Sequence, residues 1–93
     1  MNIQGSMTIV LAIEDESQVG HARRVAQSLA VELAFDETDA GRVAIVATEL
    51  ATNLLKHAHH GSLHVRAIPA QSGQGIELIA IDRGPGFNPN QCL

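Results

Sequence analysis

Aromatic residues are almost missing from this chain of 93 residues: there is no Trp and no Tyr, and Phe35 and Phe87 are the only rings. The core must therefore be aliphatic, built from Val, Ile, Leu and Ala. The shortage also speaks against a single-strand nucleic-acid binder, which stacks bases on aromatic side chains. Positive charge is scarce too. Six Lys and Arg stand against ten Asp and Glu, for a net charge of −4, and only Arg23 and Arg24 are adjacent. A generic nucleic-acid or anionic-membrane surface is thereby disfavoured. The single cysteine, Cys92, has no partner for an internal disulfide, which suits a reducing compartment. No apolar run reaches bilayer-spanning length, and residues 1–7 carry neither the basic nor the apolar region of a secretion signal. The expected location is cytoplasmic. Residues 1–7 read as a leader or as residues left by cloning, with Met7 as an alternative start.

What is present is one small domain with a clear alternation of patterns. Thr8–Ile13 is β-branched and apolar, as a strand requires. From about Gln18 to Ala34, apolar residues recur at three- and four-residue steps (Val19, Ala22, Ala26, Leu29, Ala30, Leu33), which predicts an amphipathic helix capped by Asp15 or Ser17. A second helix is expected from about Ala40 to His57, capped by Asp36 or Thr38, with Phe35 packing back as a staple. Its apolar arc is Val43, Ala47, Leu50, Leu54 and Ala58, and Glu49, Asn53 and His57 fall on one edge of that arc. Gly61 reads as a left-handed cap or turn residue. Ser62–Ile68 alternates as a strand, residues 69–75 read as a hairpin loop, and Ile76–Asp82, nearly all apolar, reads as a central strand. The order is β-α-α-β-β.

Two segments stand out chemically. In Glu49-Leu-Ala-Thr-Asn53, one helical turn stacks a carboxylate over a carboxamide. Such a pair can hold a hydrated Mg²⁺ and accept a proton, although Glu and Asn are also ordinary on a solvated helix face. In Asp82-Arg-Gly-Pro-Gly86, a carboxylate ends an apolar strand and is followed by glycines that permit close backbone approach. The same residues also make an ordinary tight turn. Neither segment decides its own meaning.

Taken in order, the two segments resemble the first two boxes of the Bergerat-fold (GHKL) ATPases. Further wording resembles the anti-sigma-factor serine/threonine kinases within them, of the stressosome switch-kinase kind: Ala22-Arg-Arg24, Leu33-Ala-Phe-Asp36, Ala47-Thr-Glu49 and Leu55-Lys-His57. The resemblance runs over residues 8–93. It implies an α+β fold, a two-layer α/β sandwich with the helices on one face of a mostly antiparallel sheet. It further implies ATP and Mg²⁺. Glu49 would be the general base for a partner's serine or threonine, Asn53 the Mg²⁺ ligand and Asp82 the anchor for the adenine amino group. Gly84 and Gly86 would shape the adenine wall and the hinge of a lid. The implied acceptor is an anti-sigma-antagonist-type domain, with a sigma factor or a phosphatase as the exchange partner. The family's later glycine-rich box, phosphate lid and closing strand and helix have no counterpart before Leu93, so the domain is expected to be incomplete. An incomplete sheet would favour a homodimer. Two other readings remain: a Bergerat-fold module that binds a partner without catalysis, and the ATP-binding domain of a sensor histidine kinase.

Smaller features carry less. His57, His59, His60 and His64 form a histidine-rich patch that suits zinc or nickel in principle, but no cysteine or carboxylate stands at a ligand spacing, so a solvated turn is expected. His57 either borders the phosphates or sits at a helix end whose partial negative charge favours a cation. Arg23 and Arg24 read as a solvated face or as a contact for an acidic partner.

Overall fold

A computed structural model describes residues 8–58, 60–71 and 73–82. Its elements are β1 (Thr8–Ile13), α1 (Glu16–Glu32), α2 (Glu37–His57), β2 (Gly61–Ala70) and β3 (Gly73–Asp82). The strands form one antiparallel sheet in the order β1-β2-β3, and both helices pack against it. This is the expected α+β arrangement in the expected element order.

Local chemistry sets the helix ends. Asp15 caps α1: its carboxylate accepts the Gln18 backbone N–H at 3.2 Å, and the Gln18 side chain accepts the Asp15 N–H at 3.1 Å. This reciprocal capping box starts the helix at Glu16, two residues before the periodicity suggests. The Ser17 hydroxyl also donates to Asp15 and, together with the Gln18 N–H, holds that carboxyl below the usual aspartate range. At the other end, Phe35 N–H bonds Ala30 C=O and Ala34 N–H bonds Val31 C=O, both at 3.0 Å. That pair is a Schellman motif, and it stops α1 at Glu32 rather than Ala34. Its left-handed residue is Ala34, with φ of 62°, where glycine is the usual choice.

Asp36 caps α2 through a 2.8 Å bond from the Asp39 N–H. The helix thus begins at Glu37, and Thr38 lies inside it instead of capping it. The fully buried helical residues are all alanines: Ala22, Ala26 and Ala30 on α1, and Ala47 and Ala51 on α2. Such small side chains let the two helices lie close together. Beneath them, Leu11 and Ile13 from β1 and Leu63 and Val65 from β2 complete the core. Complete burial of Ile13, Leu63 and Val65 is worth about 1.5–3 kcal/mol for each side chain.

Three expectations are corrected. β2, not β3, is the central strand of the described sheet. The apolar run of β3 does not come from a central position. Two of its outward residues, Ile79 and Ile81, are apolar as well, with Ile79 45% exposed. The hairpin is tighter than expected: β2 runs to Ala70 and β3 starts at Gly73, so Pro69 and Gly75 lie in paired strand, opposite Gln74 and Ile68. Gly73, the first residue of β3 after the turn, has a positive φ of 127°. Finally, Gly61 is not a left-handed cap. Ala58 caps α2 in an extended conformation, and Gly61 is the first, buried residue of β2.

Candidate nucleotide cleft

The C-terminal half of α2 and the end of β3 enclose an open cleft of about 400 Å³, lined by Leu50, Asn53, Leu54, His57, Ala58, Ala80 and Asp82. Its geometry begins at Gly61. A Cβ added there would lie 2.9 Å from Leu54 Cδ2 and 3.2 Å from Leu54 Cβ. A side chain there would force Leu54 to shift, so glycine lets α2 settle this close to the start of β2. Gly61 pairs in register with Asp82, so the same close approach brings the end of α2 beside the end of β3.

Side-chain periodicity supplies the lining. Leu50, Asn53, Leu54 and His57 recur at steps of three and four and share one helical face. On β3, Ala80 and Asp82 are two apart and point to the same side of the sheet. The walls are thus largely apolar (Leu50, Leu54, Ala80), with a carboxamide, an imidazole and a carboxylate converging on them. A pocket that is mostly apolar with a few placed polar groups is the usual form of a small-molecule site.

The sequence-predicted residues divide into three groups. Asn53 and Asp82, far apart in the chain, line one cleft. Glu49 is exposed on the preceding turn of α2 and lies outside the lining. Gly84 and Gly86 fall outside the described residues, as do Arg83, Phe87 and Cys92. His57 is both the last residue of α2 and part of the cleft wall, so its two readings coincide in one place. Sequence reasoning did not name Leu50, Leu54, Ala58 and Ala80 as site residues. Leu50, Leu54 and Ala58 were in the predicted buried arc, and Ala80 could have been found from its two-residue step to Asp82.

Of the histidine patch, His59 lies outside the described residues, and His60 and His64 have separate neighbours. His60 Nδ1 lies 3.2 Å from Glu14 Oε2, and His64 Nε2 lies 3.1 Å from Ser62 Oγ. Among the described residues, no three His, Cys, Asp or Glu side chains converge as a metal site. No helix among the described residues is long and apolar enough to cross a membrane.

The cleft's chemistry suits the groups implied by the two motifs. Asp82 can accept a hydrogen bond from an exocyclic amine, apolar walls can hold a planar base, and the Asn53 carbonyl oxygen is a neutral ligand suited to hydrated Mg²⁺. Comparison with known proteins points the same way. The serine/threonine-protein kinase RsbT of Bacillus subtilis (strain 168) is 30% identical over 87 residues, which cover 94% of this chain and 62% of that protein. The chain therefore spans less than two-thirds of the length of this curated relative. No solved structure matches it. The family model described as histidine kinase-like ATPase domain matches residues 12–92, a span that takes in the helical Glu49–Asn53 segment, the whole sheet apart from the first residues of β1, and Asp82: the chain belongs to the histidine kinase-like ATPase domain family.

Proposed function

We propose that this chain is the nucleotide-binding core of a protein serine/threonine kinase that regulates transcription by partner switching. ATP is the substrate. Asp82 takes the adenine amino group, Leu50, Leu54 and Ala80 flank the base, and Asn53 holds a Mg²⁺ ion. Bound there, the metal would neutralise phosphate charge. His57 closes the same wall. Phosphoryl transfer depends mainly on positioning and charge neutralisation, and a cleft of this kind supplies the positioning. The acceptor in this reading is a serine or threonine of an anti-sigma-antagonist-type domain, with Glu49 as the base for its hydroxyl. The site would work in the cytoplasm.

The observation that carries the proposal is the meeting of Asn53 and Asp82 in one cleft, in the chain order of the family's two motifs. The name of the RsbT relative adds support for a protein kinase. Calorimetric titration of the chain with ATP and Mg²⁺ tests it. Binding should weaken at least roughly tenfold in Asp82→Asn, the loss expected when a charged hydrogen-bond acceptor is made neutral. Asn53→Ala should remove the dependence on Mg²⁺. If ATP gives no heat and no thermal shift, the reading fails.

A second reading keeps the scaffold but not the transfer: a module that holds a partner without phosphorylating it. The exposed position of Glu49 outside the cleft lining favours it. ATP binding with no transfer to any antagonist-type domain would select this alternative.

A further inference from the structure

α2 turns a second face to solvent, continuous with the cleft but outside it. Arg42, Val46, Glu49 and Asn53 recur at steps of four, three and four, so they stand in one line along the helix. Ile45 flanks that line, three residues after Arg42 and four before Glu49. All five are exposed, Ile45 at 61% and Val46 at 44%. These two β-branched side chains take no part in the described core. The line ends on Asn53, which belongs to the cleft wall.

The charges along the line are available as well. Among the described residues, Glu49 makes no ion pair, and Arg42 meets only Asp39, at 3.8 Å. Both members of that pair are well exposed, and such a surface pair contributes little stability. Arg42 can therefore turn to a carboxylate on another molecule. The order along the helix is cation, apolar pair, carboxylate, cleft. A helix ridge is convex, so a small molecule finds no enclosure on it. An apolar centre beside charged side chains is instead the form of a protein-binding surface.

We propose that this ridge of α2 seats the protein domain that carries the acceptor hydroxyl. The seat depends on the kinase reading, in which Glu49 acts on that hydroxyl. A domain held on Ile45 and Val46 has its neighbouring residues over Glu49, and one turn farther on they reach the open cleft at Asn53. The spacing sets the chemistry of the occupant. Ile45 and Val46 lie four and three residues from Glu49, about 4.5–6 Å along the axis, and Arg42 lies seven away, about 10 Å. The matching surface therefore carries a serine or threonine, an apolar side chain roughly one helical turn from it, and a carboxylate roughly two turns away.

Fluorescence anisotropy tests the seat, with each antagonist-type domain of the same genome purified singly and labelled as the probe. At least one domain should bind the whole chain. Ile45→Asp and Val46→Asp should each raise its dissociation constant roughly tenfold or more, because a carboxylate is then driven into an apolar centre. Arg42→Glu should raise it by a similar factor, since like charges then meet. Val31→Asp, at a comparably exposed apolar position on α1, should leave it unchanged. All four side chains are exposed, so circular dichroism should show the fold retained. ATP titrated into the unchanged chain tests the kinase reading separately: no heat there sinks that reading, while the domain affinities still decide the seat. The seat is overturned if no domain binds, if the three ridge variants bind like the unchanged chain, or if Val31→Asp weakens binding as much as they do.

Discussion

Leu54 lies directly over Gly61, so close that a Cβ on the glycine would sit 2.9 Å from Leu54 Cδ2. The contact joins the last turns of α2 to the first residue of the central strand. It also sets how near the helix comes to Asp82. Gly61→Ala should therefore destabilise the domain by about 1–3 kcal/mol through overpacking, read as a lower urea midpoint. Truncating Leu54 to alanine in the same chain should return part of that loss, because the clash is with its side chain. Independent, additive effects of the two changes would disprove the contact.

Glu49 tests the division between binding and transfer. It stands one turn from Asn53 but outside the cleft lining. If it is the base for an acceptor hydroxyl, Glu49→Gln should leave ATP affinity unchanged. Transfer to an antagonist-type domain should drop roughly 10²–10⁴-fold, the usual span for a general base. Loss of ATP affinity in this variant would mean that Glu49 belongs to the nucleotide site instead.

Ala34 is the one described non-glycine residue with positive φ, and it holds the position that ends α1. A left-handed backbone costs an L-residue about 1 kcal/mol or slightly more. Ala34→Gly should accordingly stabilise the chain by about 1 kcal/mol, a gain seen as a higher thermal midpoint. A lower midpoint would show that the Schellman motif is not held in solution.

The ease of reading different parts of this chain from sequence follows from their physics. Periodicity located both helices and β2, and short apolar runs located β1 and β3, because an apolar stripe at helical spacing, alternation and a β-branched run are all local properties. Helix ends were less visible. Asp15 and Asp36 were recognisable as caps, yet the last turn of α1 is fixed by backbone bonds from Ala34 and Phe35 that leave no mark in composition. The rank of β3 was misread because an apolar run looks the same whether a strand is central or exposes an apolar outer face, as Ile79 shows. For the site, Asn53 and Asp82 were legible because both belong to motifs. The reason they meet, the missing Cβ at Gly61, was not legible. A glycine kept for close packing and one kept for a left-handed turn are the same letter.

The strand order has a consequence for how the chain assembles. β2 and β3 are joined by a two-residue turn, and α1 and α2 by a short link, so each pair can form from neighbouring residues. β1 is different: its partner β2 lies beyond both helices. Closing that long interval costs chain entropy before any strand pairing compensates. Pairing of β1 with β2 is therefore expected to come after the local pairs, leaving the β2–β3 hairpin with one side uncovered until then. A variant that weakens the β1–β2 pairing is expected to uncover that side of β2 and to aggregate more readily on refolding, measured as light scattering; unchanged scattering would count against it.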